Sequence, residues 1–219
     1  MERKIILTSD GSHTLFVPEL EEHFHSVHGA IQESMHVFIT NGLLNTSKPD
    51  ICIFEVGFGT GLNALLTLAN KGAKSVRYFS IEKYPLLPSE FEQLNFAKLL
   101  SGELQGQFQL MHQCEWNSPH IITPGFELTK LEADLTNFSF QDFPDFDLIY
   151  FDAFAPNKQG DMWAEDIFRN LSDHTNPRGI FVTYCAQGEV RRKLIRSGFE
   201  MQRIPGPPGK KQMLYGEKA

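Results

Sequence analysis

The chain has 219 residues, a net charge of −7 and three scattered cysteines. Its 41% hydrophobic and 21% charged content is ordinary for a soluble globular protein and suits one domain with a large core. These values exclude a disulfide-framed secreted domain and a uniformly basic nucleic-acid coat protein, and no apolar run is long enough for a membrane-spanning helix.

The N-terminus has no long apolar core of the kind a signal peptide needs, so a cytoplasmic location is expected. Residues 5–8 and 14–17 are β-prone and flank Asp10-Gly11, which predicts a hairpin. His23, His25 and His28, with His36 beyond, raise a metal reading, but no Cys or H-E-x-x-H spacing accompanies them, and no metal is expected. Residues 30–39 read as a helix with Gly42 after its end. We expect residues 1–48 to form an extension packed on a main domain of residues 49–219.

From residue 51 strands and helices alternate. Ile51 to Phe54 is an apolar run closed by Glu55, followed by Gly57, Gly59 and Gly61 and a helix-forming stretch to residue 70. Strand, glycine loop and helix make a nucleotide-binding corner, because glycine permits positive φ and close approach of a ligand to the backbone. The dinucleotide fingerprint is G-x-G-x-x-G; here the third glycine comes one residue early. The acidic-x-G-x-G-x-G spacing is typical of S-adenosylmethionine (SAM) sites, where a carboxylate such as Glu55 suits a sulfonium and an ammonium better than a phosphate.

Further strands are expected over 76–81, 126–131, 147–151 and 179–184. Helices are expected over 88–100, 162–171 and 189–197, with a closing strand pair over 199–204 and 212–215. Residues 101–124 read as irregular. The pattern predicts an α/β fold of the Rossmann-like methyltransferase type, a mostly parallel seven-stranded sheet with helices on both faces. Acidic residues recur at the strand ends, where such sheets bind ligands: Glu55, Glu82, Asp134 and Asp152. Glu82 stands where an acid accepts hydrogen bonds from ribose hydroxyls, and Asp134 is placed for the adenine amino group. The flanking Phe58, Lys83 and Leu135 complete the candidate cofactor set. Asp152 begins Asp-Ala-Phe-Ala-Pro, a turn suited to an amine acceptor: a carboxylate can hold an ammonium, take its proton and aim the freed lone pair. Phe154 and Trp163 are candidates for stacking on a flat base, with core packing the alternative for Trp163. Arg191, Arg192, Lys210 and Lys211 belong to a locally basic C-terminal stretch suited to phosphates, or to a solvated face.

With these residues in view the chain resembles the methyltransferase domains of the MnmC family, bacterial enzymes that complete a tRNA wobble-uridine modification. The resemblance is carried by Glu55 to Asn63 (EVGFGTGLN), Glu82-Lys83-Tyr84-Pro85, Asp152 to Trp163 (DAFAPNKQGDMW), Val190-Arg191-Arg192 and Gly209 to Gly216. Phe24-His25-Ser26, Glu33-Ser34 and Val37-Phe38 also match. Ala153 and Gly160 stand where several members carry Gly and Pro. The resemblance implies methyl transfer from SAM to the aminomethyl nitrogen of 5-aminomethyl-(2-thio)uridine. Glu55, the glycines and Asn63 would hold the methionine end, and Asp152 would face the amine. It implies tRNA as partner of the basic stretch. The family's FAD-dependent oxidase domain has no counterpart here, so a separate enzyme would supply the aminomethyl precursor. The alternatives are a small-molecule methyl- or aminopropyltransferase on the same fold, or a catalytically silent SAM- or RNA-binding module.

Overall fold

The computed structural model describes residues 2–219. The chain begins with three short antiparallel strands, β1 (Lys4–Leu7), β2 (His13–Val17) and β3 (Glu22–His23). The expected hairpin is thus extended by a third strand. Helix α1 (Ala30–Ser34) continues as a π-helical turn over Met35–Thr40. The main sheet then starts with β4 (Asp50–Val56), α2 (Leu62–Asn70) and β5 (Ser75–Glu82). The helix expected over 88–100 is two short ones, α3 (Pro88–Phe91) and α4 (Phe96–Leu100).

Residues 101–124, expected to be irregular, instead hold α5 (Gln105–Gln113) and β6 (Pro119–Thr123). β7 (Phe126–Glu132), β8 (Phe146–Phe151), α6 (Glu165–Asp173), β9 (Thr175–Thr183), α7 (Gly188–Arg196), β10 (Phe199–Pro205) and β11 (Gln212–Lys218) follow. The sheet order is β10-β11-β9-β8-β4-β5-β7-β6. It has eight strands rather than the expected seven, because β6 pairs antiparallel with β7 at one edge. Strands β9, β8, β4, β5 and β7 run parallel; β11 joins β9 antiparallel, and β10, antiparallel to β11, forms the other edge.

Both faces of the sheet are covered, which is why β4 and β8 are apolar almost throughout. Along β4, Ile51 and Ile53 enter one core with Leu65 and Leu66 of α2 and Phe108 of α5. Cys52, Phe54 and Val56 enter the other with Phe168 of α6 and Leu194 of α7. All three cysteines are free and buried. No helix among the described residues is long and apolar enough to cross a membrane.

Two consequences position the site. β5 lies on one side of β4 and β8 on the other, so the strand order reverses between β4 and β8. At such a point a crevice opens beyond the carboxyl ends of the strands. The N-terminal sheet is tied across that crevice: Arg3 donates to Tyr84 O at 2.6 Å and to Glu90 Oε2 at 2.8 Å. Asn95 accepts from His13 N at 2.9 Å and donates to Gly11 O at 2.9 Å.

Candidate active site

A cavity of about 440 Å³ occupies this crevice, a volume in the range of small-molecule sites. One wall is the glycine loop. Gly57 has φ +91° and Gly61 φ +71°, conformations that side chains rarely adopt. A Cβ on Gly57 would stand 3.0 Å from the carbonyl oxygen of Asp152, so the ends of β4 and β8 approach closely only because this residue is glycine. Glu82 ties the loop to the end of β5. Its Oε2 accepts from Gly59 N at 3.0 Å and its Oε1 from Tyr84 N at 2.8 Å. A carboxylate has about four lone-pair sites, so hydroxyl donors in the cavity still find acceptors there.

Asp134 accepts from Thr136 N and Oγ1 at 3.0 and 2.8 Å and from Lys83 Nζ at 2.7 Å. The Lys83 ammonium and the Thr136 hydroxyl hold its carboxyl below the usual range. Phe58, Lys83, Leu135 and Ala133 also line this end. The glycine cradle, the carboxylate of Glu82 and the apolar Phe58 and Leu135 fit a nucleoside bearing a polar tail.

At the other end Asp152 faces the cavity. Its Oδ2 accepts from Asn63 Nδ2 at 2.8 Å. Burial pushes its carboxyl up to about 7, against the Asn63 hydrogen bond, with the Glu33 carboxylate adding to the rise and the Lys210 ammonium opposing it. Lys210 reaches in from the turn between β10 and β11. Its Nζ lies 2.7 Å from Glu33 Oε1 and 3.7 Å from the centroid of the Tyr184 ring. Tyr184 donates to Ala153 O at 2.8 Å, and Glu33 Oε2 accepts from Ser26 N at 2.7 Å. Phe154 meets Phe24 edge-on, with centroids 5.2 Å apart. This end therefore contains an ammonium held by a carboxylate and an aromatic face, beside Asp152.

Not every expected residue reaches the cavity. Gly57, Phe58, Gly59, Asn63, Glu82, Lys83, Asp134, Leu135, Asp152, Phe154 and Lys210 line it. Gly61 caps α2 behind the loop. Glu55 does not line it: its side chain is 0% exposed and accepts from Ser80 Oγ at 2.6 Å, on the α2 side of the sheet. Trp163 does not line it either. It is 1% exposed, packs against Phe151 and donates from Nε1 to Phe154 O at 2.8 Å, so it is a core residue that fixes the turn after Asp152.

Arg191 and Arg192 lie on α7 away from the cavity; Arg191 donates to Met201 O and Arg192 pairs with Glu189. Lys211 is exposed in a shallow groove with Pro156 and Gln187, which shares Ala155, Tyr184 and Lys210 with the cavity. The N-terminal histidines form no metal-holding group; none of three or more His, Cys, Asp or Glu occurs among the described residues. His25 instead lines the cavity beside Thr60, and burial pushes its imidazole down to about 4.

Phe24, Ser26, Glu33 and Tyr184 also line the cavity, and no residue type or spacing marks them individually as ligand-facing, while His25, weighed above as a metal ligand, lines it as a buried imidazole. Phe24 to Ser26 and Glu33 stood in motifs shared with the resembled family. Nothing local to Tyr184 marked it.

A family described as "S-adenosyl-L-methionine-dependent methyltransferase" matches residues 125–219, which include Asp134 and Asp152 but not the glycine loop. The MnmC2 structure from Aquifex aeolicus superposes with a TM-score of 0.81, at 25% identity, over 98% of this chain and 69% of that one. The chain has the S-adenosylmethionine-dependent methyltransferase fold and is similar to MnmC proteins over about a third of their length. The tRNA 5-methylaminomethyl-2-thiouridine biosynthesis bifunctional protein MnmC of Cupriavidus metallidurans is 31% identical over 98% of the chain and 34% of its own length. Its counterpart in Pseudomonas paraeruginosa is 33% identical over 88% and 32%. The chain thus spans about a third of the length of these curated MnmC relatives.

Proposed function

We propose that the protein methylates a primary alkyl amine on a tRNA, the aminomethyl nitrogen of 5-aminomethyl-(2-thio)uridine at the wobble position, with SAM as methyl donor. One observation carries this reading: a cavity that opens on the glycine corner ends in a site that already holds an alkyl ammonium, that of Lys210, between Glu33 and Tyr184 and next to Asp152. An acceptor ammonium has the same charge, size and single carbon stem, and it replaces Lys210 when the β10–β11 turn moves aside.

SAM would be held along Gly57 to Thr60, Glu82 and Asp134 and would supply an electrophilic methyl group. The chain's own task is to make the acceptor nitrogen nucleophilic. Asp152 takes a proton from the ammonium, and rotation about the C–N bond then turns the freed lone pair away from Asp152 toward the glycine corner. Tyr184 and Glu33 hold the remaining positive character until the proton leaves. Phe154 offers a face to the uracil ring, and the groove with Lys211 gives a basic exit for the rest of the RNA. Arg191 and Arg192, both outside the cavity, are left to contact phosphates at longer range. An upstream reaction must supply the aminomethyl group.

The test is an acceptor panel with methyl-labelled SAM: tRNA carrying 5-aminomethyluridine, the same tRNA unmodified, and free diamines. Label only in the aminomethyl-bearing tRNA is the expected result. Label in diamines alone would favour a small-molecule enzyme, and labelling of none by folded, SAM-binding protein would favour a silent module.

A further inference from the structure

Helix α5 brings His112 against the backbone of the glycine loop. His112 does not line the cavity, whereas Thr60 does. The His112 Nε2 lies 3.0 Å from Thr60 O. A carbonyl oxygen can only accept, so the imidazole carries a proton on Nε2 and donates it. The contact depends on Gly61. A Cβ there would stand 2.9 Å from His112 Nε2, so any side chain at this position would push the imidazole off Thr60. Gly61, which does not line the cavity, is open toward His112 instead.

The imidazole is itself fixed on several sides. It stacks on Phe91 with ring centroids 4.4 Å apart and planes 11° from parallel. It meets Phe108 and Phe58 edge-on, at 4.8 and 5.3 Å. Phe58 lines the cavity. The backbone carbonyl of His112 accepts from Lys130 Nζ at 2.7 Å. Lys130 lies on β7, is fully buried and stands 4.5 Å from the centroid of the Trp116 ring. A cation suits the free carbonyls at a helix C-terminus. The end of α5 is thus tied to the sheet by Lys130 and to the glycine loop by the His112 ring. From the N-terminal part, His25 Nε2 lies 3.4 Å from the Thr60 hydroxyl. That longer contact holds the side chain of Thr60; His112 holds its backbone.

We propose that His112 is a positioning residue for the SAM site, whose Nε2 proton holds Thr60 O and sets the backbone of Gly57 to Thr60 in the shape that receives the cofactor. Thr60 is 1% exposed, so its carbonyl has no ready substitute for this donor, and an unpaired buried carbonyl is costly. A binding loop keeps its geometry only when supporting hydrogen bonds fix it. Burial pushes the His112 imidazole down to about 3, against the Thr60 hydrogen bond and with the Lys130 ammonium adding to the fall, which keeps the ring neutral. This role requires only that SAM is the cofactor; it does not depend on the acceptor.

The test combines nitrogen NMR of the histidine side chains in the SAM-free full chain with calorimetric titration of SAM. The His112 signal, identified by its absence in His112→Gln, is expected to be that of a neutral imidazole protonated on Nε2. The amide nitrogen of Gln falls close to the position of imidazole Nε2, so His112→Gln keeps a donor for Thr60 O and should bind SAM within about threefold of wild type. His112→Leu has no donor, and the shorter amide of His112→Asn does not reach. In both, SAM affinity should fall by about tenfold, the worth of one hydrogen bond.

Protonation of His112 on Nδ1 in the wild type would overturn the proposal. So would wild-type SAM affinity in His112→Leu and His112→Asn, or an equal loss in all three variants, because an equal loss marks a role in packing alone. If His112→Leu fails to fold, the comparison of His112→Asn with His112→Gln still decides. None of these readouts uses the tRNA acceptor, so a wrong acceptor would not be mistaken for a wrong His112.

Discussion

Replacing Asp152 by Asn is expected to lower kcat by about 10²- to 10⁴-fold while the SAM dissociation constant stays near that of wild type. Asn has the same shape and its Oδ1 can still accept from Asn63 Nδ2, as Asp152 Oδ2 does at 2.8 Å. It cannot take a proton. The same residue sets the pH dependence. Burial, with the Glu33 carboxylate adding to it, pushes the Asp152 carboxyl up to about 7, and its ionised form is the base in the proposed reaction. On the acid side kcat/KM should therefore fall as pH drops below about 7, approaching tenfold per unit, and level off above it. A pH–rate profile and a calorimetric titration with SAM check both parts. If Asp152→Asn loses SAM binding, Asp152 belongs to the cofactor; if it keeps full turnover, the proton goes elsewhere.

Trp163→Ala is expected to cost about 3–5 kcal/mol of unfolding free energy. The indole is 1% exposed and packs on Phe151 with ring centroids 4.8 Å apart. Its N–H satisfies Phe154 O at 2.8 Å, so removal leaves both a cavity and an unpaired carbonyl in the turn that follows Asp152. Trp163→Phe keeps most of the apolar contact and should lose about 1–3 kcal/mol, the cost of leaving Phe154 O unpaired. Urea unfolding of the two variants measures the difference. If Trp163→Ala proves as stable as wild type and loses only acceptor affinity, the indole stacks on substrate after all.

These two residues show what the linear sequence could and could not convey. The strand runs of β4, β5 and β8, the glycine loop and the acids at the strand ends are local patterns, and each was readable because burial on both faces forces continuous apolar runs. Asp152 reached the site for the same reason. Trp163 did not, because whether an aromatic after a loop turns inward depends on Phe151 and Phe168, which meet it only in three dimensions. Glu55 was misplaced by its position at a strand end. Strand alternation puts it on the face of Ile51 and Ile53, under α2, although its neighbour Val56 lines the cavity.

Helix α5 was overlooked because it buries only Phe108 and Met111, too sparse a pattern to set a period, and it carries Gly106. β6 is a five-residue edge strand beginning with proline, its Ile121 exposed. The least readable feature was the N-terminal sheet folding over the cavity. Phe24 and Glu33 reach Phe154 and Lys210 across long sequence separations, and no local spacing encodes such contacts.

The most direct measurement is the position of the new methyl group. After incubation with SAM and tRNA carrying 5-aminomethyluridine, the tRNA is digested to nucleosides and the product is fragmented by mass spectrometry. A methyl group on the side-chain nitrogen of the uridine, absent when Asp152→Asn replaces wild type, is the predicted result. A methyl group on the base ring or ribose, or no product from protein that binds SAM, would contradict an amine-methylating site at Asp152.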